Sequence, residues 1–184
     1  MLILLAAYAD QLDDRVDRTV TELLGQQRSD GGWNCVDLDN PGRHSSFHTS
    51  ISVLEALLTY AHAGGTVPVT GPLALAREFF LEHRLFRSHR TEQIAVRGST
   101  RFPFPPQWHF DVMRELEHFV NAGAPADARL AEAVDVVRSA QRRDGSWPTY
   151  AGYPGQRWFE LEPRRPSRIN TARALRVLRW WDSA

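Results

Sequence analysis

Gln27-Arg28-Ser29-Asp30-Gly31-Gly32-Trp33 returns as Gln141-Arg142-Arg143-Asp144-Gly145-Ser146-Trp147, 114 residues further along the chain. The correspondence continues upstream without a gap. Laying Asp13 to Trp33 over Asp127 to Trp147 also pairs Asp13 with Asp127, Arg15 with Arg129 and Val20 with Val134. A weaker middle copy, Leu73 to Arg84, keeps the apolar spacing but lacks the Gly and the Trp. Its Arg84 falls midway between Gln27 and Gln141, so the period is about 57 residues.

Each copy carries apolar residues at helical spacing: Leu12, Val16, Val20 and Leu23; Leu75, Phe79 and Phe80; Leu130, Val134 and Val137. A second helix follows in each, with Thr49, Asp111 and Asn170 as candidate N-caps ahead of Leu54/Leu116/Leu175 and Leu57/Phe119/Leu178. The fold class expected is therefore all-α, in about three helical hairpins spanning residues 12–62, 72–122 and 127–182 of a single repeat domain, 1–184. Residues 1–8 read as the tail of a preceding repeat, because Leu2 and Leu5 match Leu116 and Phe119. The connections from first to second helix are long (28–48, 85–109 and 142–169) and those from second to first are short, which puts the long loops on one rim beside the second-helix N-termini.

Composition narrows the function classes. The 184 residues, 42% of them hydrophobic, suffice for a sizeable core. Twenty-two basic and 22 acidic residues cancel, so no net field favours nucleic acid or an anionic membrane. Every cation is Arg, which fits a GC-rich coding genome. The single Cys35 excludes an internal disulfide and suits a reducing compartment. Met1 to Ala7 is apolar but too short for the roughly 20 residues that span a bilayer, so stable membrane insertion is not expected and the chain reads as soluble and cytoplasmic.

The two copies of Gln-Arg-x-Asp-Gly-x-Trp resemble the Q-W motif of squalene and oxidosqualene cyclases, whose repeat is shared with the protein prenyltransferases. The resemblance implies an α/α toroid, here an incomplete ring, with first helices outside and second helices lining an apolar cavity. The motif itself reads as structural. Gln27 and Gln141 can bond backbone at an open helix end, Asp30-Gly31 and Asp144-Gly145 make the turn, and Trp33 and Trp147 cover the junction. The family's chemistry transfers less completely. No Asp-x-Asp-Asp segment of the hopene-forming type occurs; Asp13-Asp14 and Asp37/Asp39 are the nearest approaches, and the first pair suits a helix start. Phe47-His48-Thr49 resembles the His-Thr segment of the prenyltransferase zinc site, but no Asp-x-Cys partner precedes it on a second helix.

Cys35, His44 and His48 in the first long loop, with His109 and Asp111 at the end of the second, have the donor chemistry of a zinc site, yet their spacing matches no ligand signature. No metal and no cofactor are expected. Aromatic residues gather in the long loops: Trp33, Phe47, Phe102, Phe104, Trp108, Phe110, Trp147, Tyr150, Tyr153, Trp158 and Phe159. Rings facing a cavity could hold an isoprenoid chain; the others pack between repeats. Arg84, Arg87, Arg90, Arg97, Arg101, Arg157, Arg164, Arg165 and Arg168 share these loops, where solvated surface is the ordinary reading and anion binding the alternative. Ser45, Ser46 and Thr49 lack the strand-turn-helix elbow of a serine hydrolase.

The expectation is a helical-repeat protein binding an apolar, isoprenoid-like small molecule through His48, Trp108, His109, Asp111, Trp158 and Arg168. Cyclase-like or prenyltransferase-like chemistry is left open at this point. So is the alternative of a catalytically silent protein-interaction module. Apolar residues at either extremity (Leu2 to Leu5; Leu175, Leu178, Trp180, Trp181) lead to an expected homodimer or a longer chain with a further N-terminal half.

Overall fold

The computed structural model describes residues 12–36, 44–156, 158–162 and 166–183. Among these the chain is all-helical: α1 (Asp14–Gly25), α2 (Phe47–His62), α3 (Thr70–Glu82), α4 (Val112–Asn121), a single 3-10 turn (Ala128–Leu130) leading into α5 (Ala131–Ser139), and α6 (Arg168–Asp182). None is long and apolar enough to cross a membrane. The expected tail at 1–8 lies outside the described residues, as do Asp37, Asp39, Arg157, Arg164 and Arg165. The chain divides into two compact units, Met1–Phe80 and Leu81–Ala184.

In the first unit, α1 starts where Asp13 accepts hydrogen bonds from the backbone of Arg15 and Val16, satisfying N–H groups that the helix leaves open. Val16 and Val20 turn inward. α2 is the most buried helix of this unit, with Ile51, Leu54 and Leu57 fully covered and Phe47 set against Phe79 and Phe80 at ring separations of 5.3 and 5.7 Å. Asp17 on α1 accepts from the Tyr60 hydroxyl and from Thr66, and the same hydroxyl accepts from Val67 N–H, which closes the short connection after α2.

In the second unit, α4, α5 and α6 pack on one another, with Val112, Met113, Leu116, Leu130, Val134, Val137, Ala174 and Val177 enclosed. Arg173 of α6 reaches back to Glu117 of α4 at 2.7 Å, both largely covered, and the Trp180 indole N–H donates to Ala124 at 3.0 Å.

Two sequence expectations shift in register. The N-caps of α2 and α6 are Ser46 and Ser167, whose hydroxyls accept from the amides of Thr49 and Asn170. Thr49 and Asn170 therefore stand three residues inside their helices; only Asp111 caps where expected. Leu75 and Leu175, expected on buried stripes, are exposed, because Leu73, Ala76 and Phe79 fill the inner face of α3 while Ala174 and Val177 fill that of α6.

The two motif copies make the same local hydrogen bonds. In the first, Arg28 N–H donates to Gly32 C=O and Gly31 N–H to Arg28 C=O, with Gly31 at a φ of +92° that favours glycine. Gln27 Nε2 donates to Gly31 C=O at 2.7 Å, and the Trp33 indole N–H to Leu23 C=O of α1 at 2.8 Å. Trp33 N–H meets Ser50 Oγ, and Trp33 C=O accepts from the cap residue Ser46. In the second, Arg142, Gly145 (φ +82°), Gln141 and Trp147 bond Ser146, Arg142, Gly145 and Val137 in turn, and Trp147 meets Thr171 and Ser167. Both indoles are buried. Each motif thus holds the end of one helix and the start of the next on a single tryptophan.

The middle segment has no such glycine. It turns instead through two left-handed non-glycine residues, Arg84 (φ 44°) and Leu85 (φ 68°), and burial of Leu85 and Phe86 offsets that conformation.

Candidate functional site

The long loop of the second unit, residues 148–166, is pinned at both ends. Ser167 N–H donates to Trp147 C=O at 2.8 Å. Glu162 accepts the Ser167 hydroxyl and, at 2.9 Å, the amide of Ile169, so its carboxylate occupies the N-terminus of α6, where the helix dipole favours negative charge. Asn170, buried in the first turn of α6, donates to Phe102 C=O at 2.8 Å and Pro148 C=O at 3.2 Å, and accepts from Arg173 at 3.1 Å. One amide side chain thereby ties this loop to the one preceding α4.

Between these loops lies a cavity of about 850 Å³, walled by Phe104, Tyr150, Tyr153, Trp158, Phe159 and Leu161, with Gln107, Arg142, Thr149 and Glu160 supplying polar edges. Its size falls within the roughly 300–1,000 Å³ of small-molecule sites. Trp158 and Phe159 stand 84% and 71% exposed, which is costly for rings of this area unless something covers them.

Beside the cavity, the His109 ring is sandwiched between Trp108 (centroids 3.8 Å apart) and Tyr153 (3.3 Å, nearly parallel). Burial pulls the imidazole below its usual range and pushes the Tyr150 and Tyr153 phenols up, so all three rings are neutral near pH 7. The His109 carbonyl accepts from the Arg114 guanidinium at 2.8 Å.

Asp111 is fully buried. Its Oδ1 caps α4 by accepting from Arg114 N–H at 2.9 Å, while Oδ2 has no hydrogen-bond partner among the described residues. Desolvation raises its pKa to about 7 against the pull of Arg173 and Arg114. Arg173 links it outward, since the guanidinium lies 5.5 Å from the Phe104 ring and bonds Asn170, and both residues line the cavity. Asp111 is thus an acid with a raised pKa whose neighbour Arg173 reaches the wall of an aromatic cavity edged by Arg142, Glu160 and Glu162.

Of the expected ligand residues, Trp108, His109 and Asp111 come together at the start of α4, and Trp158 lines the cavity. Arg168 is the exposed first residue of α6. His48 sits in the first turn of α2, in the other unit. There Thr49 Oγ1 lies 3.3 Å from the exposed Cys35 thiol, and His44 C=O accepts from Asn34. Among the described residues no group of three or more His, Cys, Asp or Glu is arranged to hold a metal ion. Arg114, Glu162 and Arg173 went unnoticed in the sequence. Nothing local marks Arg173, whose partner Glu117 is 56 residues away. No protein-family model, curated protein or solved structure matches the chain.

Proposed function

We propose that the second unit binds an apolar, isoprenoid-like molecule in the aromatic cavity, within a helical-repeat fold of the squalene-cyclase and prenyltransferase type. The carrying observation is the aromatic wall of the cavity, where Trp158 and Phe159 present apolar area to solvent beside the half-covered Tyr150 and Tyr153. A flexible hydrocarbon would cover those rings and desolvate them, at about 25 cal/mol per Å² of apolar surface removed from water. The twin Q-W-like turns support the fold type, as does the place of each between two successive helices, α1 and α2 in the first case and α5 and α6 in the second.

The polar end of the ligand follows from the same geometry. Glu162 already fills the N-terminus of α6, so a diphosphate finds no open helix end there, and Arg142 is the only basic residue on the described wall. Farnesol and geranylgeraniol should raise the melting temperature and quench tryptophan fluorescence about as well as their diphosphates, with inorganic diphosphate doing neither. Trp158→Ala and Phe159→Ala should each weaken the effect several-fold without unfolding the protein, since both rings are exposed. No shift with any prenyl compound at saturating concentration would sink the reading and favour a protein-interaction module.

A further inference from the structure

The two loops that wall the cavity are tied by Asn170, and Asn170 is itself held by Arg173. The amide of Asn170 donates to Phe102 C=O in one loop and to Pro148 C=O in the other. Arg173 Nη1 donates to Asn170 Oδ1 at 3.1 Å, its Nε and Nη2 both donate to Glu117 Oε2 at 2.9 and 2.7 Å, and its guanidinium carbon lies 5.5 Å from the centre of the Phe104 ring on the cavity wall. Three of the five N–H groups of Arg173 are committed in this way, which leaves two for another acceptor. Asp111 is such an acceptor. It is completely enclosed, its Oδ2 has no hydrogen-bond partner among the described residues, and the charge of Arg173 acts on it ahead of those of Arg114 and Glu117. An uncharged carboxyl is far less costly to bury than a charged one; once charged, an oxygen without a donor in a dry site must find one.

We propose that Asp111 is a latch on the cavity wall: uncharged, it leaves Arg173 to Glu117 and Asn170 and the two loops stay tied, whereas charged, it draws the guanidinium towards Oδ2 and releases the tie through Asn170. The groups that face Asp111 are Arg114 and Glu117 of α4, Arg173 of α6 and Tyr153 of the long loop. Arg114 already serves Oδ1 with its backbone N–H and gives an arm of its guanidinium to His109 C=O, so Arg173 is the donor with N–H groups to spare. Glu117 competes for the same guanidinium, and its charge opposes that of Asp111. The Tyr153 phenol is pushed up by burial and then by Asp111, and stays uncharged where the latch works. Burial brings the balance between the two states to about pH 7. The consequence for the ligand rests on the isoprenoid reading above. Tied loops keep Phe104, Tyr150 and Tyr153 in one wall, so a prenyl chain prefers the latched form and its affinity falls as the pH rises through about 7.

Hydrogen exchange read by mass spectrometry from about pH 6 to about pH 8.5, normalised for intrinsic exchange rates, reads the latch without any ligand. In wild type, protection of residues 148–156 should fall several-fold as the pH rises through about 7. Asp111→Asn keeps a capping side chain but carries no charge at any pH, and should retain throughout the protection that wild type has at the acid end. Glu117→Gln is nearly isosteric and removes the rival acceptor, so it should move the loss of protection to lower pH; it decides by itself if the Asn variant does not fold. Farnesol titrations followed by tryptophan fluorescence at the same pH values should trace the same curve for each protein. Wild-type protection that is constant across the range overturns the proposal, as does a pH response that Asp111→Asn retains or that Glu117→Gln leaves in place. If the loop responds as described and farnesol binds at no pH, the latch stands and the isoprenoid reading fails; if farnesol binds equally well at every pH and the loop does not respond, the latch alone fails.

Discussion

The two tryptophan turns share their internal bonds and differ in what surrounds them. Trp33 reaches its cap residue Ser46 after 13 positions, and Trp147 reaches Ser167 after 20. The seven extra residues change neither the turn, nor the indole bond to the preceding helix, nor the hydroxyl under the tryptophan amide, which is Ser50 in one and Thr171 in the other. They enlarge the loop that walls the cavity. Fixing both ends of a loop on one buried ring lets its middle lengthen at little entropic penalty, because closure entropy grows only logarithmically with length. In this molecule the scaffold is the constant part and the candidate site is carried by the insertion.

The hardest strain on that comparison is to remove the rings. Trp33→Ala and Trp147→Ala each delete a fully buried indole and a hydrogen bond to a helix C-terminal carbonyl, and each should destabilise its unit by about 3–5 kcal/mol. Equal losses in denaturant titrations would support one clamp used twice. A loss below about 1 kcal/mol for Trp147→Ala alone would mean that the longer loop is held by Glu162 and Asn170 instead.

The second effect concerns the helix start that follows neither motif. Serine caps α2 and α6, but α4 is capped by a buried aspartate whose folded pKa is about 7 against an ordinary 3.8. The raised value means that the fold prefers the protonated form. Its contribution is fully present below about pH 4 and is lost as the pH rises through about 7, with a slope of up to about 1.4 kcal/mol per pH unit. His109, pulled down by burial, acts in the opposite sense as the pH falls. The informative quantity is therefore the difference between wild type and Asp111→Ser, in which the His109 contribution cancels and the cap is retained. Wild type should lose stability relative to the variant between pH 4 and 7 by a few kcal/mol. Parallel profiles would show that Arg173 and Arg114 keep Asp111 ionised throughout.

Much of the scaffold was legible because its chemistry is local. A Gln, an Asp-Gly and a Trp at fixed spacing carry the bonds they need within a turn and the adjoining helix ends, and apolar spacing located all six helices. The caps of α2 and α6 were read three residues late because Ser46 and Thr49, and likewise Ser167 and Asn170, are cap-competent residues one turn apart. Hydrophobic periodicity does not choose between such pairs. The candidate site was legible only in composition. That the long loops concentrate aromatic residues could be read directly, whereas the network from Asp111 through Arg173 to Asn170 depends on how α4 and α6 pack, and no sequence spacing encodes it.

The smallest effect separates the two turns most sharply. Gln27 is half-buried and its amide bridges Gly31 and Pro72, so Gln27→Ala frees the carbonyl of Pro72 as well as that of its own turn, a loss of about 1–2 kcal/mol. Gln141 is exposed and, among the described residues, makes only the longer bond of 3.2 Å to Gly145, which water replaces readily. Gln141→Ala should therefore change stability by less than about 0.5 kcal/mol. Equal losses for the two variants in denaturant titrations would show that the second turn bears as much load as the first.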